Sequence, residues 1–142
     1  MLKVVLDNNT IVSALLTPYG SPGKVLDLAF QGAFAFAASP HLIDELTRVL
    51  DTKRMQSYLA KQGKTKKDTA KFIDNFSKSC ILTSNSPLTE KVCRDPDDDW
   101  VLACALEAKA KYIVSGDKDL TSLQHYQGIL ILTPLDFLEE IN

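Results

Sequence analysis

The sequence predicts an α/β fold, a three-layer α/β/α arrangement around a central, mainly parallel sheet of five strands. Three observations predict it. Short apolar runs of strand length alternate with longer stretches of helical periodicity. Ser-Pro or Thr-Pro pairs, the chemistry of a helix start, stand at 21–22, 39–40 and 133–134. The first apolar run, Val4-Val5-Leu6, ends on Asp7-Asn8-Asn9, where a turn made for geometry alone would favour Gly or Pro. Polar groups at the carboxyl end of a buried strand are where open α/β sheets place ligands.

Residues 2–6 are short and Val- and Leu-rich, which makes them a buried strand. Residues 10–16 read as a helix, and Thr17-Pro18-Tyr19-Gly20 as a turn. Ser21 as N-cap and Pro22 at the first helical position start a helix that runs to about Gly32. Residues 34–38 form the second strand, and Ser39-Pro40 opens a helix to about Leu50. Residues 55–62 are helical until Gly63 stops them. Thr65, with Asp68 three residues on, resembles a capping box for a helix to about Ser79. Residues 80–83 form the third strand, 84–96 a polar loop and 97–109 a helix. Strands follow at 112–115 and 129–132, and Thr133-Pro134 opens the last helix. No repeat, low-complexity tract or linker interrupts this order, so residues 1–142 read as one domain.

Composition excludes several classes. With 45% hydrophobic and 24% charged residues the chain is ordinary for a soluble globular protein. A net charge of −2 means that any nucleic-acid partner needs a local basic patch. Cys80, Cys93 and Cys104 are odd in number and lack C-x-x-C spacing, which argues against disulfides or zinc and for reduced thiols in a cytoplasm. The start has no apolar core of a secretory signal, and no stretch approaches a membrane span.

The acids carry the chemistry. Asp7 follows the first strand, Glu45 lies on the helix after the second, and Asp117 and Asp119 follow the fourth. Strand ends and the helix starts after them share one edge of a parallel sheet. Asp97, Asp98 and Asp99 open the helix that leads into the fourth strand, so their edge would be the opposite one unless the polar loop brings them round. At about 100° per residue, Leu42, Ile43, Leu46, Val49 and Leu50 form one stripe; Glu45 lies at its border and Asp44 opposite it. The same test favours Asp99, over Leu102, Ala103 and Leu106, against Asp98, which shares a face with Ala105 and Lys109. Helix capping and turn shaping account for single acids, but a carboxylate ending a buried strand is costly unless paired or coordinated. Converging carboxylates repel one another, and a divalent cation removes that cost. Oxygen ligands without a His or Cys cluster suit Mg²⁺ or Mn²⁺. Such a site activates water and neutralises charge building on a phosphodiester.

The segments "VVLDNNTIVSALL", "SPHLIDELTRVL", "DPDDDWVLACALEAKAKYIVSGDKDL" and "GILILTPLDFL" together resemble a PIN-domain nuclease of the prokaryotic toxin–antitoxin branch, in order and over nearly the whole chain. The resemblance implies a metal-dependent endoribonuclease acting on single-stranded RNA. It implies catalytic positions at Asp7, Asn9, Glu45, Asp99 and Asp117, and metal ligands at Asp7, Glu45, Asp99, Asp117 and the further acid Asp119. Where the family often has Thr or Ser, this chain has Asn8. The resemblance also implies an antitoxin partner and self-association as a dimer or higher oligomer.

RNA needs positive charge. Lys53, Arg54, Lys61, Lys64, Lys66, Lys67 and Lys71 cluster against Asp68 alone, and read either as a solvated helical hairpin or as an arm that guides RNA toward the acids, with Tyr58 inside it. His41 and His125 are isolated and receive no role, the cysteines read as apolar fillers, and Trp100 as core. Two other functions compete. In a haloacid-dehalogenase-type phosphatase an acid also ends the first strand, but that chemistry needs a second Asp where Asn9 stands. A non-catalytic RNA- or protein-binding module would have lost some of the acids that this chain keeps.

Overall fold

The computed structural model describes residues 1–142. Its strands are β1 (Lys3–Leu6), β2 (Ala35–Ala38), β3 (Ile81–Leu82), β4 (Tyr112–Val114), β5 (His125–Tyr126) and β6 (Ile129–Leu132). Its helices are α1 (Asn8–Leu16), α2 (Ser21–Phe30), α3 (Pro40–Leu50), α4 (Lys53–Ala60), α5 (Lys66–Ser79), α6 (Pro96–Ala108), α7 (Lys118–Thr121) and α8 (Pro134–Glu140). The strands form one sheet in the order β3-β2-β1-β4-β6-β5, parallel throughout except for the pair β5–β6.

The sheet therefore has six strands where the sequence predicts five. The added strand, β5, is two residues long and too short to show alternation. It joins β6 through Gln127-Gly128, both at positive φ (47° and 85°), which matches the right-handed twist of a two-residue hairpin. The single turn of α7 also escaped the sequence pattern. At α2 the cap is Gly20, with Ser21 already helical.

Side chains alternate across the sheet and divide the core in two. Val4, Leu6, Phe36, Ala38, Tyr112 and Val114 pack with Ile11, Val25, Leu46, Leu50, Phe76 and Phe137 on one face. Val5, Ala37, Ile113, Ile129 and Ile131 pack with Val101, Leu102, Cys104 and Ala105 of α6 on the other. No helix is long and apolar enough to cross a membrane.

The chain winds outward from β1 to β2 and β3, then returns through α6 to β4 on the other side of β1. The switch point, and hence the crevice, lies beyond the carboxyl ends of β1 and β4. A helix between parallel strands runs antiparallel to them. The start of α6 therefore lies at the strands' carboxyl edge, not the opposite one, and the polar loop need not bring it round.

Candidate active site

Asp7 follows β1 and is buried at 7% exposure. It occupies the N-cap position of α1, but its carboxylate closes no capping hydrogen bond there. Instead, the Ser115 hydroxyl, fully buried just after β4, donates to Asp7 Oδ2 at 2.7 Å. The same hydroxyl accepts from the Asp117 amide at 2.9 Å. Asp117 in turn caps α7 by accepting from the Asp119 amide at 2.9 Å. One buried serine thus ties the end of β1 to the loop after β4.

Asp98, in the first turn of α6, completes the group. Asp7, Asp98 and Asp117 each offer an oxygen within 4.8 Å of the others'. Asp98 is 5% exposed and its Oδ2 has no hydrogen-bond partner, a costly state for a buried carboxylate oxygen. Burial raises the Asp7 pKa; the Ser115 hydroxyl opposes this and Asp117 adds to it. Asp98 is pushed up to about 7, by burial first and then by Asp117, Asp7 and Asp95.

Glu45 reaches the same cleft from α3, half-buried, while Asp44 is exposed, as the helical stripe requires. Asn8, itself buried, donates from Nδ2 to Glu45 Oε1 at 2.7 Å and to the Leu42 carbonyl at 2.9 Å. Burial pushes Glu45 up to about 7; the Asn8 hydrogen bond opposes this, and Asp97 and Asp7 add to it. His41, Glu45 and Asp97 form a second group within 4.8 Å. His41 stacks flat on Trp100, with centroids 4.2 Å apart. Asn9 Oδ1 accepts from the Gly116 amide at 3.3 Å, which places its side chain across the gap from β1 to the loop after β4.

The cleft holds about 440 Å³. Its walls carry Asp7, Glu45, Asp95, Asp97, Asp98 and Asp117 with no Lys or Arg. Crowded carboxylates without a counter-charge fit a divalent cation, and an all-oxygen set around Asp98 fits Mg²⁺ or Mn²⁺ better than zinc.

Of the residues singled out in the sequence, Asp7, Asn9, Glu45 and Asp117 meet in this cleft. Asp99 does not, and the acid of the triplet that joins the cluster is Asp98. The Asp99 carboxylate points to the polar loop, accepting from the Cys93 amide at 2.7 Å and the Val92 amide at 3.2 Å. The helical-stripe test failed because Val101 to Ala105 of α6 are all buried, so no apolar face separates neighbouring positions. Asp119 is also outside the cluster, paired with Arg94 at 2.9 Å. Lys53, Arg54, Lys61, Lys66, Lys67 and Lys71 are exposed and Lys64 half-buried on or beside α4 and α5; none lines the cleft. Ser115 went unnoticed in the sequence, where only its place one residue past an apolar strand could have marked it.

A family model for the PIN domain matches residues 3–119. An uncharacterized protein of Methanocaldococcus jannaschii is 35% identical, across 98% of this chain and 91% of its own. The crystal structure of VapBC2 from Rickettsia felis bound to a DNA fragment from their promoter contains a chain of similar fold. The match has a TM-score of 0.58 at 14% identity and covers 92% of this chain and 97% of that one.

Proposed function

The chain belongs to the PIN-domain family, and from that premise we propose that it is a Mg²⁺- or Mn²⁺-dependent endoribonuclease that hydrolyses single-stranded RNA, the toxin of a toxin–antitoxin pair. PIN domains are generally nucleases. The observation that carries the reading is Asp98, buried with its Oδ2 unpartnered and offering a carboxylate oxygen within 4.8 Å of those of Asp7 and Asp117, in a cleft without cations. Asp7, Asp98 and Asp117 are the residues that would hold the ion, with Glu45 as the fourth acid. A bound divalent ion supplies an acidified water and neutralises charge on the phosphodiester.

The chain's own groups set the stage. Ser115 fixes Asp7 Oδ2, so Oδ1 is left for a ligand. Asn8 fixes Glu45 Oε1, so Oε2 is left to take a ligand or a proton from water. Asn9 keeps its carbonyl on Gly116 and leaves its amide NH₂ to orient water or substrate. Asn9 also lacks the ionisable proton that the phosphatase alternative requires.

An antitoxin partner and self-association belong to the same proposal, and the likeness in fold to a chain of the VapBC2 complex supports the antitoxin. A segment presenting Arg or Lys would satisfy these carboxylates and exclude the ion. The test is incubation of labelled single-stranded and structured RNAs with Mn²⁺, Mg²⁺ or chelator. Metal-dependent internal cuts that vanish in Asp98→Asn support the reading; cleavage undiminished by chelator overturns it. Expression alone should arrest growth, with Asp98→Asn relieving the arrest. Harmless expression of an active nuclease would place it in RNA processing instead.

A further inference from the structure

An acidic cleft repels the polyanion it is proposed to cut, so some cation must meet the backbone at its rim. Arg94 stands there. It immediately precedes Asp95, a cleft residue, and its Nη2 lies 2.9 Å from Asp119 Oδ2. The nearby Asp117 carboxylate also favours its charge, after Asp119. The backbone beneath Arg94 is fixed. Asp99 holds the amides of Val92 and Cys93, Cys93 is buried, and Asp95 caps α6 through the Asp97 amide. The side chain is free by contrast, 85% exposed, and its partner is 43% exposed. Such an exposed pair contributes little to stability and is screened by salt. A guanidinium binds phosphate in a stronger, two-pronged geometry.

We propose that Arg94 grips a backbone phosphate of the nucleic acid next to the acid cluster, leaving Asp119 to do so. This rests on the nuclease reading and assigns a residue that positions the substrate. It also gives Asp119 a part, as the anion that parks Arg94 when no substrate is bound.

The experiment measures kcat and KM on a labelled single-stranded RNA in Mn²⁺ at several salt concentrations. The proteins are the wild type, Arg94→Ala, Arg94→Lys and Asp119→Asn, with Mn²⁺ affinity measured by calorimetry. Arg94→Ala should raise KM roughly tenfold and reduce the logarithmic salt slope by about one, at unchanged Mn²⁺ affinity. Arg94→Lys should restore the slope but only part of the KM. Asp119→Asn, which frees the guanidinium, should keep or lower KM. If Asp119→Asn damages KM as much as Arg94→Ala, the pair is a structural latch and the proposal is overturned. An active wild type with Arg94→Ala indistinguishable from it overturns the Arg94 role alone. A wild type that cuts neither RNA nor single-stranded DNA overturns the nuclease reading and this inference together.

Discussion

Asp98→Asn should stabilise the metal-free protein while removing its response to divalent ions. Asp98 rises from 3.8 to about 7, with burial the leading cause. That is roughly three pH units, and at about 1.4 kcal/mol per unit the ceiling is about 4 kcal/mol. Repulsion from Asp117, Asp7 and Asp95 shares in the shift and relaxes as the carboxylates move apart, which leaves roughly 1–2 kcal/mol. The shift is upward, so the native protein binds this proton more tightly than the unfolded chain. Wild-type stability from this group is therefore full below 3.8 and is lost as pH rises toward about 7. Asn carries no such loss, and its amide can donate to the neighbouring carboxylates. Unfolding entropy of about 2 cal/mol/K per residue over a chain of this length converts the gain to roughly 3–7 °C in Tm. Thermal denaturation in chelator should show that gain at about pH 8 and little of it near pH 4. Saturating Mn²⁺, at roughly a hundred times its Kd, should stabilise the wild type by about 2.7 kcal/mol and leave the variant unmoved. A variant less stable than wild type in chelator at about pH 8, or one with an undiminished Mn²⁺ response, would refute the placement of Asp98 at the ion.

In RNA cleavage, Asp98→Asn should lose on the order of a hundredfold or more, and Asp99→Asn less than about tenfold. A larger loss for Asp99→Asn would restore it as the reacting acid. Because Glu45 is raised to about 7, Mn²⁺ affinity should weaken as pH falls through that value. Glu45→Gln should flatten the profile without abolishing it, since Asp98 titrates in the same range; calorimetry across neutral pH checks this. The triple change of Lys64, Lys66 and Lys67 to Ala should raise KM and flatten its salt dependence with kcat unchanged. Equal salt slopes in the two proteins would remove the α4–α5 hairpin from RNA binding.

The acids on strand ends were the most legible part of the sequence, because a buried strand that stops on Asp7 breaks its own hydrophobic pattern. Glu45 was legible for a related reason: α3 has one apolar stripe, so a border position can be told from an outward one. Where burial is uniform, that reasoning loses its grip. Val101 to Ala105 are all buried, and the wheel that separated Asp44 from Glu45 could not separate Asp98 from Asp99. The edge faced by the start of α6 follows from the antiparallel run of every crossover helix, a rule of topology that residue types do not express. The β5–β6 hairpin was hidden for another reason, since Gln127 takes a positive φ that its residue type does not advertise.

What residue patterns least express is the set of tethers that keep the acids together before any ion arrives. Asn8 holds Glu45 across 37 residues of sequence, and Ser115 holds Asp7 across 108. Asp99 pins the loop from which Arg94 and Asp95 emerge. Each tether is a polar side chain spending its hydrogen bonds on another segment, at a point where mutual repulsion would otherwise push the carboxylates apart. Asn at position 8 has an amide long enough to reach α3 and two donors to divide between the Leu42 carbonyl and Glu45. A shorter hydroxyl with its single proton could not serve both. The repulsion is thus borne by the fold, and under the proposed function a cation entering the cleft would meet ligands that need little rearrangement.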